Sequence, residues 1–121
     1  LDSSCVVAIA TGERSARPLA ERLERFDRIF AAPLLEAEVR SVLQREGLAG
    51  ADVDLSDVRW ILPSRPLTDE IERVLEAGYV RGADCWHLAC ALYLAPEPGE
   101  VTFLTLDTQQ RRVAKALGFD T

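Results

Sequence analysis

The chain has no methionine, one histidine, one lysine and three cysteines in 121 residues. No run of eighteen or more apolar residues occurs, so nothing in it is long enough to span a bilayer as a helix. The N-terminus lacks the basic-then-apolar order of a secretory signal, and a cytoplasmic location is the expectation. Three cysteines, Cys5, Cys85 and Cys90, are an odd set without C-x-x-C spacing, which argues against a disulfide framework and for buried, reduced thiols. A zinc site built from Cys85, His87 and Cys90 fails on geometry: on one helix the three point at about 0°, 200° and 140° and do not converge on one ion. Basic charge is scarce as well. The net charge is −6, and apart from Lys115 the bases are scattered arginines. A protein that grips nucleic acid by bulk electrostatics is thereby excluded, although a specific, metal-assisted contact is not. The chain begins at Leu1 without a methionine, so a few leading residues and a longer first strand are expected.

What is present is a hydrophobic content of 48% in a length that suits one domain, residues 1–121, with a single core. Leu1-Asp2-Ser3-Ser4 reads as the end of a buried strand, followed by a short apolar helix over Cys5–Ala10 capped by Ser3 or Ser4. An amphipathic helix over Ser15–Phe26 follows, with Leu19, Leu23 and Phe26 inward. Arg28–Ala32 reads as a strand, Leu34–Glu46 as a helix ended by Gly47, and Leu48–Asp57 as an irregular connection. Val58–Leu62 reads as a strand stopped by Pro63. A helix capped by Thr68 buries Ile71, Val74 and Leu75 and closes at Gly78. The helix from Arg81 to about Ala95 is apolar nearly all round. Val101–Leu106 is the clearest strand, ended by Asp107; Gln109–Leu117 is a helix with Val113, Ala114 and Leu117 inward, and Phe119 begins a last short strand. Strands alternating with helices predict an α/β fold with a parallel sheet covered on both faces. No repeat or low-complexity segment interrupts it.

Within this pattern the acids stand out. Asp2 and Asp107 each follow a strand, while Glu38 and Asp84 sit near the N-terminal ends of helices. Asp84 is the most anomalous, a carboxylate opening the most apolar helix with His87 on its face. Of the two acids on the Leu34–Glu46 helix, Glu38 lies about 60° from the apolar centre and Glu36 about 100°, so Glu38 is the one expected to face inward. Strand ends and helix starts meet at one edge of a parallel sheet, so the four acids can converge. Converging carboxylates repel unless a divalent cation neutralises them. Oxygen ligands suit Mg²⁺ or Mn²⁺, and two ions about 3.5–4 Å apart can activate water and stabilise the leaving oxygen of a phosphodiester.

Leu1-Asp2-Ser3-Ser4, Ala37-Glu38-Val39, Ala83-Asp84-Cys85-Trp86-His87-Leu88-Ala89 and Phe103-Leu104-Thr105-Leu106-Asp107 resemble, in order and spacing, the four acidic blocks of PIN domains. The similarity covers essentially the whole chain and is greatest to the VapC-type toxin ribonucleases of prokaryotic toxin–antitoxin pairs. It implies a three-layer α/β/α sandwich with a central parallel sheet and Mg²⁺- or Mn²⁺-dependent endoribonuclease activity. It also implies frequent homodimerisation and inhibition by a small antitoxin whose tail enters the site. By position, Asp2, Glu38, Asp84 and Asp107 resemble the metal-binding acids. Ser4 matches a polar residue that can hydrogen-bond a carboxylate or a metal-bound water, and Thr105 is placed to do the same beside Asp107. Glu36 has no counterpart. His87 resembles a histidine often found in this block, and its expected role is that of a packed, hydrogen-bonded helix residue. No second acid follows soon after Asp107, which implies a weakly held second metal.

Two other readings compete. An aspartate-based phosphotransfer protein also places an Asp after its first strand, but the phosphatases of that kind want a second Asp where Ser4 stands, and only Lys115 is available as the lysine. A PIN-like module that binds a protein partner without cutting would keep the fold, yet it has no need of all four acids.

Overall fold

Ser3–Ala10 forms helix α1 in the computed structural model, which describes residues 1–121. Its N-cap is Asp2, extended at φ −94° and ψ 154°, whose carboxylate accepts from the Ser4 backbone N–H. The expected caps, Ser3 and Ser4, instead lie inside the first turn: the residue just before the helix is itself an acid with the short side chain that capping needs. Helix α2 is Ala16–Leu23, shorter at both ends than its apolar spacing predicts.

The sheet is parallel but small. Strand β1, Ile29–Ala31, pairs with β2, Val58–Trp60, in the register Ile29 to Val58 and Ala31 to Trp60. On the other side of β1 the Leu1 ammonium donates to Phe30 O at 2.9 Å, and Asp2 N donates to Leu104 O at 2.9 Å. Leu1 and Asp2 thus lie between β1 and the segment that carries Leu104. Beyond that segment a parallel bridge joins Thr102 to Asp120, with Phe103 N donating to Asp120 O at 2.7 Å. The expected strand Val101–Leu106 is therefore reduced to a bridge. Its β-branched and aromatic residues favour extension, but its neighbours contribute only the Asp2 contact on one side and the contacts around Asp120 on the other, too few for a ladder.

Helix α3, Leu34–Arg45, buries Leu35, Val39 and Leu43 against Val6 and Ala31. Helix α4, Thr68–Ala77, begins one residue earlier than expected, with Leu67 rather than Thr68 at the cap. It buries Val74 and packs Ile71 on the core edge, but leaves Leu75 48% exposed, against expectation. A ten-residue helix with one packed side cannot bury the flank on which Leu75 lies. Gly78 closes α4 where an added Cβ would stand 2.9 Å from Val113 Cγ2, so the close approach to the last helix requires glycine. Helix α5, Gly82–Leu94, is the core's centre, with Leu88, Cys90 and Leu92 fully buried. Helix α6, Thr108–Ala116, lies against α4 and is capped by Asp107. The cysteines are free and buried, and desolvation pushes the Cys5 and Cys90 thiols up to about 11. No helix is long and apolar enough to cross a membrane.

Candidate active site

The acids are positioned by helix starts. Asp2 precedes α1 and is nearly completely buried, and both its oxygens have donors: Ser4 N reaches Oδ2 at 3.0 Å and Gln110 Nε2 reaches Oδ1 at 3.2 Å. Asp107 caps α6, its Oδ1 accepting from Gln110 N at 2.7 Å. In both cases one carboxylate closes an open helix end and still retains lone pairs for another ligand.

Thr105 and Ser4 tie these two acids together. Thr105 Oγ1 donates to Gln110 Oε1 at 2.6 Å and accepts from Asp107 N at 3.1 Å. Ser4 Oγ accepts from Leu106 N at 3.0 Å and lies 3.4 Å from Thr105 Oγ1. Ser4 and Thr105 thus hold the loop that delivers Asp107 against the start of α1.

Asp84 enters from the first turn of α5. Burial raises its pKa above the ordinary carboxylate value; the Arg81 hydrogen bond and charge oppose that shift, and the charges of Asp2 and Asp107 add to it. Arg81 Nε lies 3.3 Å from Asp84 Oδ2, but the Arg81 side chain is 78% exposed while that of Asp84 is 17% exposed, so the cation reaches in from solvent. Three carboxylates therefore sense one another, and the cation paired with Asp84 is largely exposed.

Glu38 joins through His87. His87 sits one turn after Asp84 on α5, buried, with Nε2 2.6 Å from Glu38 Oε2 and 3.9 Å from Asp2 Oδ1. A carboxylate can only accept, so Nε2 carries the proton toward Glu38. Nδ1 is buried without a partner. Glu38 is inward, as its angle on α3 predicts, whereas Glu36 turns out to solvent and pairs with Arg40 at 2.7 Å. The structure thus draws Asp2, Asp107, Ser4 and Thr105 into one hydrogen-bonded network, sets Asp84 within its electrostatic reach, and attaches Glu38 through the histidine.

Gln110 escaped the sequence reading. It hydrogen-bonds Asp2, Thr105, Asp107 and the Asp84 backbone, and it is completely buried. A signal was present: positions 110, 113, 114 and 117 form the i, i+3, i+4, i+7 stripe of α6, and a glutamine on such a stripe faces inward with polar atoms that need partners.

The donor set is all hard oxygen, suited in kind to a divalent cation of the Mg²⁺ class. The side chains are not drawn up around a point: no three His, Cys, Asp or Glu residues form a group close enough to hold a metal ion. An apolar cavity of about 330 Å³ lies elsewhere, between β1 and the 101–104 segment, lined by residues such as Phe30, Ala91 and Phe103, with His87 in its wall. Its chemistry is that of a core gap, and the acids do not line it.

No curated protein and no solved structure matches the chain. The PIN domain family matches residues 1–116, which takes in all four acidic blocks, and PIN domains are generally nucleases with an α/β fold. The match covers almost the full length, and the chain belongs to the PIN domain family.

Proposed function

We propose that this chain is a divalent-cation-dependent endoribonuclease, the toxin of a toxin–antitoxin pair. The observation that carries the reading is the electrostatic coupling of Asp84 to Asp2 and Asp107, whose charges add to burial in raising the pKa of Asp84. Three acids within one another's electrostatic reach carry unfavourable charge that a ligand can neutralise. Asp2, Asp84, Asp107 and Glu38 would hold Mg²⁺ or Mn²⁺. When bound, the ion supplies neutralisation of the phosphate and activation of a water for attack on phosphorus.

The chain's own residues do the rest. Gln110 and Ser4 N keep the Asp2 carboxylate in one orientation. His87 holds Glu38 at the inner rim, and buried against α3 it acts as a support rather than a base facing solvent. Arg81, exposed at the site's edge, is the nearest cation to the Asp84 carboxylate and is free to turn to an RNA phosphate. With a net charge of −6, RNA binding rests on such local contacts and on groove shape. The same acidic site suits a basic side chain on the tail of a small antitoxin. A three-layer α/β/α sandwich, a homodimer and a cytoplasmic location complete the reading.

The test is cleavage of single-stranded RNA by the purified protein. Cleavage in Mg²⁺ or Mn²⁺ that stops with EDTA, and that Asp2→Asn and Asp84→Asn both lose, supports the assignment; full activity in both variants sinks it. One observation favours a second reading, that of a PIN-like interaction module: the acids are not gathered at coordinating distance. A module of that kind would cut no RNA and would gain no thermal stability from Mn²⁺. The phosphotransfer reading has little support, because Asp2 is buried with both oxygens engaged.

A further inference from the structure

We propose that Gln110 is a positioning residue that aims the Asp2 and Asp107 carboxylates at the shared cation; this rests on the divalent-cation reading above. Its side chain is fully buried and every polar atom on it is engaged. Oε1 accepts from Thr105 Oγ1 at 2.6 Å, and Nε2 donates to Asp2 Oδ1 at 3.2 Å and to Asp84 O at 3.4 Å. Its backbone N–H, one turn into α6, donates to Asp107 Oδ1 at 2.7 Å. One residue thus touches all three aspartates, two through their carboxylates and the third through its backbone.

The orientation of the amide follows from its neighbours. Thr105 Oγ1 accepts from Asp107 N, and its single proton goes to Gln110 Oε1 at 2.6 Å rather than to the more distant Asp2 Oδ2 at 3.4 Å. The amide nitrogen must then face Asp2, which can only accept. Together with Ser4 N at 3.0 Å and Thr105 Oγ1 at 3.4 Å on Oδ2, this holds both oxygens of Asp2 and leaves Oδ1 with a lone pair.

Neutrality is what suits a glutamine to the task. A lysine or arginine at this buried place would pair with Asp2 and compete with a metal for its charge. An apolar side chain of the same size would leave Asp2 Oδ1 without its donor. The amide donates a hydrogen bond and cancels no charge, which fixes the carboxylate while preserving its pull on a cation. This is the function of outer-shell partners in metal sites, whose loss typically weakens metal affinity about 10–100-fold.

The experiment compares wild type, Gln110→Met, Thr105→Val and Val113→Ala. Met keeps the length and bulk of Gln and lacks the donor; Thr105→Val removes the proton that orients the amide; Val113→Ala disturbs α6 packing away from the acids. Mn²⁺ dissociation constants are read by electron paramagnetic resonance of the free ion, alongside metal-free thermal midpoints and RNA cleavage across a Mn²⁺ titration. Gln110→Met is expected to weaken Mn²⁺ about 10–100-fold and to recover cleavage at saturating Mn²⁺. Thr105→Val should move the same way by less, and Val113→Ala should lower the thermal midpoint with the Mn²⁺ constant unchanged. If wild type binds Mn²⁺ and Gln110→Met binds it equally well, the positioning role is refuted while the nuclease reading stands. The role is also refuted if Val113→Ala weakens Mn²⁺ as much as Gln110→Met, since packing alone would then explain the loss. Should Gln110→Met not fold, Thr105→Val decides by the same constant. A wild type that binds no Mn²⁺ overturns the parent reading and this one with it.

Discussion

Asp84→Asn and Glu38→Gln should both abolish cleavage yet move the stability of the metal-free protein in opposite directions. Ionised Asp84 is penalised by burial and by the nearby charges of Asp2 and Asp107, and the Arg81 contact, made by a largely exposed side chain, offsets only part of this. An uncharged amide of the same shape relieves the penalty, and a gain of about 0.5–1 kcal/mol is expected at pH 7, at the lower end of what relief of functional strain provides. Glu38 is the reverse case. Its 2.6 Å bond satisfies the only partnered nitrogen of a buried imidazole, because His87 Nδ1 has none. A neutral side chain there weakens a charge-assisted bond and should cost about 1–3 kcal/mol.

Urea or thermal unfolding in EDTA reads both effects, each kcal/mol displacing the midpoint by roughly 3–6 °C for a domain of this size. The pH dependence supplies a second check. A carboxylate whose folded pKa is raised binds more protons folded than unfolded, so its penalty is full above the folded value and vanishes below the unfolded one. The advantage of Asp84→Asn should therefore shrink as pH falls toward about 3.9, the ordinary Asp value. If Asp84→Asn is destabilised as much as Glu38→Gln, the site is not a cluster of uncompensated charge and the reasoning fails.

Further outcomes follow from packing and burial. Gly78→Ala should destabilise by about 1–3 kcal/mol, because its Cβ would press on Val113 Cγ2 at 2.9 Å; a companion Val113→Ala should recover part of the loss in a double-mutant cycle. Cys5 and Cys90, buried and with thiols raised to about 11, should resist a thiol reagent at pH 8 in the native protein and react promptly in denaturant. Rapid native labelling of either would show that the core opens far more readily than its packing implies.

The helical part of this fold was legible because helix burial is local. The stripes of α3 and α6 name their own inward faces, and on α3 the same angle separates Glu38, drawn to His87, from Glu36, paired with Arg40 in solvent. Leu75 shows the limit of that rule, since periodicity marks an apolar flank but not whether another element arrives to cover it. The sheet was less legible. Val101–Leu106 has strand composition, yet whether it pairs depends on Asp2 and Asp120, far away in the chain. The cap of α1 is ambiguous in the sequence because three capping residues stand in a row, and the structure gives it to Asp2. Asp107 caps α6 in the same way. Gln110 is not legible from charge, because the residue that joins the acids carries none.

If the acids share a divalent cation, Mn²⁺ must bind the folded protein, and Mn²⁺ titration followed by thermal unfolding reads that binding. Binding to the folded state alone should raise stability by roughly 2.7 kcal/mol when Mn²⁺ reaches one hundred times its dissociation constant, and Asp2→Asn should lose that gain. A wild-type midpoint that does not move with Mn²⁺, or one that rises equally in Asp2→Asn, would contradict it.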